Sequence, residues 1–365
     1  MQTRQALANR RGRSSTTLLR PSSTTAAPIE ATPAQEAPVQ CEAPHHHHGA
    51  GLDPTVNDYG PTIAFRNDRV IVVFFGIFVG VGALLAMLHS SFYFAAHAVA
   101  EPRVFVTLLL AVAIGAPFTS FMITRLLDIR SWLGGDKTFL QWIRTITFSL
   151  WGGLQGGFDI SIVVASLFGI APLALLDAVV IGLPLAQALG RVGCLNYGCC
   201  WGRPCSEFSI LAVRYRNPTT KIMRYKPELA GVALHPVQVY STLANLGIYS
   251  VLMTLWVTQP DRREGLLAAT FMMLYGTKRF CVEFLRSDFP RAHRLRLTMW
   301  QFLSSFVAVA GAVLLVAVVP GNDVVTPADA GAGLTSALVW SPLAVVGALI
   351  MGAVYSVHGR KVGSW

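Results

Sequence analysis

LALLDAVVIGLPLAQALGRVGCLNYGCCWGRP, from Leu173 to Pro204, is the stretch that decides how this chain is read. Its first part is a long apolar segment. Its last part, Gly190 to Pro204, gathers Arg191, Arg203, four glycines and three cysteines. A charged, glycine-dense, thiol-rich turn where a helix leaves a membrane is costly unless something binds there. Glycine lets a backbone approach a ligand closely. A buried or interfacial arginine wants a carboxylate or phosphate partner. The stretch therefore reads as a polar site at the mouth of a helix bundle, suited to an anionic headgroup. The plainer alternative is a basic loop following a transmembrane helix.

Working outward, composition agrees with a membrane setting. Of 365 residues, 53% are hydrophobic and 13% charged, and the mean hydropathy is +0.50. Soluble domains carry about 25% charged residues. The net charge of +10 then fits loops that face lipid phosphates. Basic and aromatic residues do not interleave as nucleic-acid binding would need, so no nucleic-acid partner is expected. Residues 1–67 are rich in Ala, Pro, Thr and Ser, lack an apolar period and read as a disordered tail. The run His45 to His48 within it reads as incidental, although such tracts bind metal weakly.

Apolar segments of membrane-crossing length follow at about 70–88, 105–123, 146–168, 173–189, 235–257, 266–285 and 299–319, with an eighth at 337–357. The expectation is an all-α polytopic membrane protein with a seven-helix core over 68–319, a loop at 320–336, an extra C-terminal span and a short tail at 358–365. Residues 124–144 are amphipathic and basic, with Trp132 and Trp142, and read as an interfacial arm. Residues 206–234 read as a small extramembrane head with β-favouring fragments such as FSILAVRY. Inside the sixth segment, Tyr275, Arg279 and Glu283 are spaced four apart and share one helix face. Ionisable groups inside a span are functional candidates by default. The structural alternative is an intrahelical ion pair.

Four separated pieces now align: SLWGGLQG, GRVGCLNYGCCWGRP, HPVQVY, and YGTKRFCVEFLR followed by LTMWQFLS. Their order and spacing resemble the prolipoprotein diacylglyceryl transferase family, with its H-G-G-L, GRIGNFxNxExWGR, HPxQLYE, YxxxRxxxExxR and LTMGQ motifs. The resemblance implies an enzyme of the bacterial cytoplasmic (inner) membrane. Its members transfer a diacylglyceryl group from phosphatidylglycerol to the lipobox cysteine of a preprolipoprotein, and glycerol 1-phosphate leaves. It implies no cofactor and no metal. It puts Arg191, His235, Tyr275, Arg279 and Glu283 in catalytic roles. It puts Gly190, Gly202, Arg203, Gln238, Arg286, Gly152 and Gly153 in substrate-binding ones. Partners would be phosphatidylglycerol, the signal peptide with its lipobox, and the bilayer.

Three departures stand out. Trp151 replaces the family's histidine, Cys194 an asparagine and Cys199 a glutamate. Tryptophan cannot serve as a base, and His235 is the histidine in a matched motif that could substitute. Two rival readings remain beside the main one: a related lipid-group transferase with another acceptor, and a degenerate lipid-binding homologue without activity. Cys194, Cys199, Cys200 and Cys205 have the spacing C-x4-C-C-x4-C, uncommon for zinc. They read as packing residues, a disulfide, a metal site with Cys281, or a thiol that takes part in transfer.

Overall fold

Long apolar runs with small residues at their contacts form helices, because a helix satisfies its own backbone polar groups where water is absent. The computed structural model describes residues 58–97, 102–136, 138–144, 150–287, 297–325 and 330–358. The elements, in chain order, begin with strands β1 (Ile63–Arg66) and β2 (Ile71–Val73). Helices α1 (Phe75–Ala96), α2 (Pro102–Leu127), α3 (Ile129–Leu133), α4 (Phe139–Arg144) and α5 (Leu150–Phe168) come next. They are followed by α6 (Pro172–Val180), α7 (Leu183–Tyr197), α8 (Lys221–Tyr225) and α9 (Val237–Thr258). The chain continues through β3 (Arg262–Arg263), α10 (Leu266–Glu283), α11 (Met299–Val313), β4 (Val324–Val325), α12 (Ala330–Ser356) and β5 (Val357–His358).

This is a multi-pass, mostly helical membrane protein. Among the described residues, five helical stretches are long and apolar enough to cross a membrane by length and composition. They are Phe75–Ala96, Pro172–Tyr197, Val237–Thr258, Met299–Gly321 and Ala330–Ser356. The expected arm after the second segment takes the form of the short helices α3 and α4, with Trp132 stacked on Trp142 at 5.4 Å.

The structure differs from the sequence expectation at four places. Residues 1–57 of the expected tail lie outside the described residues, but β1 lies within its last part and pairs antiparallel with β2. The segment 173–189 is two helices, interrupted at Ile181 and Gly182, with Pro184 in the first turn of α7. That helix then runs on through the glycine-rich motif to Tyr197, so Arg191 and Cys194 sit on a helix rather than in a turn. FSILAVRY forms no strand; Phe208 and Ile210 are 94% and 99% exposed, and a single bridge joins Val213 to Leu234. Finally, the C-terminal helix is no appendage. It packs along α1, and β5 pairs with β2.

That last contact explains the glycines of α1. A Cβ on Gly76 would lie 2.2 Å from the Gly352 carbonyl oxygen and 2.0 Å from Ser356 Oγ. The two backbones touch there, as small residues allow. Asp177, in the middle of an apolar run, has a comparable explanation. Its carboxylate is buried and accepts hydrogen bonds from the backbone N–H of Gly265 (2.8 Å) and Ala268 (2.7 Å). It therefore caps the N-terminus of α10 from another helix, where the helix dipole favours negative charge.

Gly76→Leu should force α1 and α12 apart and lower stability by about 1–3 kcal/mol or more. Gly247→Ala, where a Cβ meets open space, should be near neutral. Thermal unfolding in detergent checks this, and equal transition temperatures for the two variants would refute the tight seam.

Candidate functional site

The site forms where the ends of α7, α9 and α10 meet. Helix α7 closes at Gly198, whose φ of +71° is left-handed. The N–H groups of Gly198 (3.0 Å) and Cys199 (3.1 Å) both donate to the carbonyl of Cys194. A left-handed cap of this kind turns the chain back over the last helical turn. No side chain fits at this position, since a Cβ on Gly198 would lie 2.8 Å from Thr220 Cβ. Cys199 and Cys200 thus fold back over Cys194.

The following turn, Trp201 to Pro204, is stitched to both other helices. Gly202 bridges to Arg286. Arg203 N–H donates to the Leu285 carbonyl, and His235 N–H to the Arg203 carbonyl, both at 2.9 Å. Arg203 Nε donates to the Arg286 carbonyl at 3.1 Å. A Cβ on Gly202 would sit 2.3 Å from the His235 carbonyl oxygen, so this glycine is where three motifs touch. Gln238, fully buried in the first turn of α9, donates from Nε2 to the Cys199 carbonyl at 2.7 Å.

On α10, Arg279 donates to Glu283 one turn later. Arg286 Nε lies 3.8 Å from the same carboxylate, and Thr298 Oγ1 donates to its other oxygen at 3.2 Å. Thr298 also starts α11 through a capping box with Gln301, a reciprocal pairing that satisfies two backbone donors. One turn before Arg279, Tyr275 is buried and stacks on Phe271. Lys278 Nζ sits 4.1 Å from the centre of its ring and donates to Asn245 Oδ1 at 2.9 Å.

Arg191 completes the set. It is buried, and among the described residues its guanidinium forms no ion pair with a carboxylate. Its electrostatic neighbours are Cys194, Cys200, Arg286 and Tyr275. Three arginines, Arg191, Arg279 and Arg286, therefore act on one another here, and Glu283 is the carboxylate among the described residues that faces two of them. Burying a net positive cluster is costly unless an anion joins it. Two apolar grooves flank α9 beside these charges. The larger, about 640 Å³, runs between α9 and α10 past Tyr240, Ile248, Val251, Leu274, Lys278 and Leu285. The smaller, about 160 Å³, lies between α7 and α9 beside Arg191, Leu195, Gln238 and Leu243.

The structure thus gathers Arg191, Gly202, Arg203, His235, Gln238, Tyr275, Arg279, Glu283 and Arg286. Gly190 precedes Arg191 on α7 and faces open space. Gly152 and Gly153 lie in the first turn of another helix, α5, and the side chain of Trp151 is outside the described residues. His235 is half-buried, and its ring makes no hydrogen bond among them. Arg203 acts as a staple on the α10 terminus. Of the five described cysteines, Cys205 and the exposed Cys281 stand outside the group formed by the other three. Sequence reasoning passed over Lys278 and Thr298. Lys278 satisfies the same criterion as Arg279, an ionisable group inside an apolar span.

Glu283→Gln removes the carboxylate to which Arg279 donates and which Arg286 faces, a loss of about 3–5 kcal/mol. Thr298→Ala removes a cap and one hydrogen bond, about 1–2 kcal/mol. Thermal unfolding of both variants should rank them in that order; the reverse order would contradict the central role of the carboxylate.

A sequence model of the family described as prolipoprotein diacylglyceryl transferase matches residues 62–317. The chain is 34% identical over 170 residues to phosphatidylglycerol–prolipoprotein diacylglyceryl transferase 2 of Clostridium perfringens, covering 46% of this chain and 60% of that protein. It is 34% identical over 139 residues to phosphatidylglycerol–prolipoprotein diacylglyceryl transferase of Clostridium tetani, covering 38% and 51%. It is 33% identical over 190 residues to the protein of the same name from Rhodospirillum centenum, covering 51% and 64%. The chain thus spans between 51% and 64% of the length of these three relatives.

Proposed function

We propose that this chain, which belongs to the prolipoprotein diacylglyceryl transferase family, transfers a diacylglyceryl group from phosphatidylglycerol to the lipobox cysteine of a preprolipoprotein in the bacterial cytoplasmic membrane. The observation that supports this reading is buried Arg191, with no carboxylate partner among the described residues, beside Arg279 and grooves that suit acyl chains. In the reaction the cysteine sulfur attacks the diacylglyceryl carbon attached to the phosphate oxygen. A C–S bond forms, the C–O bond breaks, and glycerol 1-phosphate leaves with the bonding electrons. The thiol proton passes to a base or to the departing phosphate.

Each residue then has a physical task. Arg191 neutralises charge as it grows on the departing phosphate. Arg279 and Arg286, held by Glu283, add to the positive field without competing for one position. Lys278 lies at the edge of the larger groove, where a headgroup meets its tails. Tyr275 walls the site and offers its ring face to Lys278. His235 is our candidate base, since its unengaged imidazole adjoins the Gly202 turn and Trp151 cannot serve. Gln238 holds the cysteine turn in place, and Gly202 keeps room for three segments to meet. Gly190, Gly152 and Gly153 are proposed as places where lipid approaches the backbone.

In vitro transfer from labelled phosphatidylglycerol to a lipobox peptide, by the full-length protein in proteoliposomes, tests the reading. Arg191→Ala and Arg279→Ala should each lower kcat by about 10²–10³. Transfer at the original rate by both folded variants would overturn it. His235→Gln should lower kcat by about 10²–10⁴; full activity would remove His235 as the base. A second reading, transfer of a lipid-derived group to another acceptor, is favoured by Trp151, Cys194 and Cys199 at the family's polar positions. It predicts phosphatidylglycerol turnover without peptide modification. A lipid-binding homologue without activity predicts neither.

A further inference from the structure

The three cysteines folded together at the end of α7 have no task in the transfer reading. Their Sγ atoms all lie within 4.8 Å of one another. The left-handed cap at Gly198 brings Cys199 back to the Cys194 carbonyl. Cys200 then takes a φ of +56°, the one positive φ at a non-glycine residue among those described. A cysteine has no local reason to adopt that conformation, and strain of this kind marks sites where the surroundings demand it. The cluster is mostly shielded from solvent, with Cys194 buried and the other two half-buried. Arg191 and Arg286 both act electrostatically on Cys200. Gln238, which donates to the Cys199 carbonyl, leaves its own buried Oε1 without a partner among the described residues.

We propose that Cys194, Cys199 and Cys200 form a trithiolate site for a soft, thiophilic metal ion of the Zn(II) class. With metal–sulfur bonds near 2.3 Å, sulfurs bound to one such ion lie roughly 3.8–4.0 Å apart. The cluster needs to contract by less than about 1 Å to reach that geometry. Binding a divalent ion to three thiols releases three protons and leaves a complex of net charge −1. Thiolate ligands are deprotonated as the metal binds. The two guanidiniums beside Cys200 offset that charge, so the surroundings favour the bound state. Cys205 and Cys281 are excluded by position. The complex would also supply an anion beside Arg191, at positions where the family pattern has polar side chains. It would orient that arginine without relying on a carboxylate. This proposal does not depend on which group the protein transfers, because it concerns metal binding alone.

The test uses the full-length protein with His45 to His48 replaced by Asn, so that the histidine run contributes nothing. The reduced protein is equilibrated with Zn(II), or with Cd(II) as a spectroscopic probe, then desalted and assayed for metal. About one ion per chain is expected, with thiolate-to-metal charge-transfer absorption from Cd(II). Cys194→Ser/Cys199→Ser/Cys200→Ser should lose binding by about tenfold or more, while Cys205→Ser/Cys281→Ser should retain it. Should the triple variant misfold, alkylation of the unsubstituted protein gives the same answer. Zn(II) should slow modification of Cys194, Cys199 and Cys200, but not of Cys205 or Cys281. Stoichiometry near zero with all three thiols free, metal retained by the triple variant, or equal alkylation with and without Zn(II) would each overturn the proposal. So would a disulfide between any two of the three in protein purified without reductant.

Discussion

One buried carboxylate holds the working end of this molecule together. Glu283 takes Arg279 from its own helix, faces Arg286 just beyond the helix end, and accepts from Thr298 at the start of the next helix. Arg286 in turn receives the Gly202–Arg203 turn on its backbone. A charge 1% exposed is tolerable only when its hydrogen-bonding capacity is filled by well-placed partners. Here those partners come from α10, the turn after it and the start of α11, and Arg286 ties in the distant Gly202–Arg203 turn. Stability and site geometry therefore rest on the same atoms. The ion pair, which on sequence alone could have been purely structural, fixes Arg279 and Arg286 in place, while Arg191 has no carboxylate partner among the described residues.

Much of the helical fold was legible because the apolar runs are long and each needs to cross or face lipid. The eight expected segments each coincide with a helix or a pair of helices. The stripe Tyr275, Arg279 and Glu283 was legible too, since spacing of four on a helix allows one geometry. What could not be read were contacts set by tertiary partners. Asp177 carries no local sign that it caps a distant helix. Gly190 and Gly193 look like turn residues, yet they are helical because α7 packs on neighbouring helices rather than ending there. FSILAVRY has strand propensity, but Phe208 and Ile210 are exposed and only its end, at Val213, pairs, through one bridge to Leu234; propensity at exposed positions does not make a strand.

The site was partly legible for a related reason. Three of the four quoted pieces meet in the structure, while the first, with Gly152 and Gly153, lies on α5. The motifs do not say how the chain reverses between them. The return of Cys199 and Cys200 over Cys194 follows from a single left-handed glycine and from close packing against Thr220. The spacing of the cysteines is uncommon for zinc and left a metal site with Cys281 as one of four readings; the grouping of Cys194, Cys199 and Cys200 is made by that reversal rather than by a linear interval. Lys278 was hidden by its neighbours, since one more basic residue in a motif already containing two arginines adds no pattern of its own.

The seam between α1 and α12 has a kinetic consequence. About 230 residues separate the end of one helix from the start of the other. At typical synthesis rates the partner of Gly76 arrives roughly ten to fifty seconds after α1 has left the ribosome. Throughout that interval Gly76 and Gly80 lack the α12 backbone that covers them, whereas Gly82 packs on Ala186 of the earlier helix α7. A helix made late thus closes over one made early, and β5, which follows it directly, pairs with β2. Nascent chains arrested before α12 would carry α7, α9, α10 and α11 beside an open seam. Quality control that recognises exposed small-residue faces would then have a clear signal for removing them.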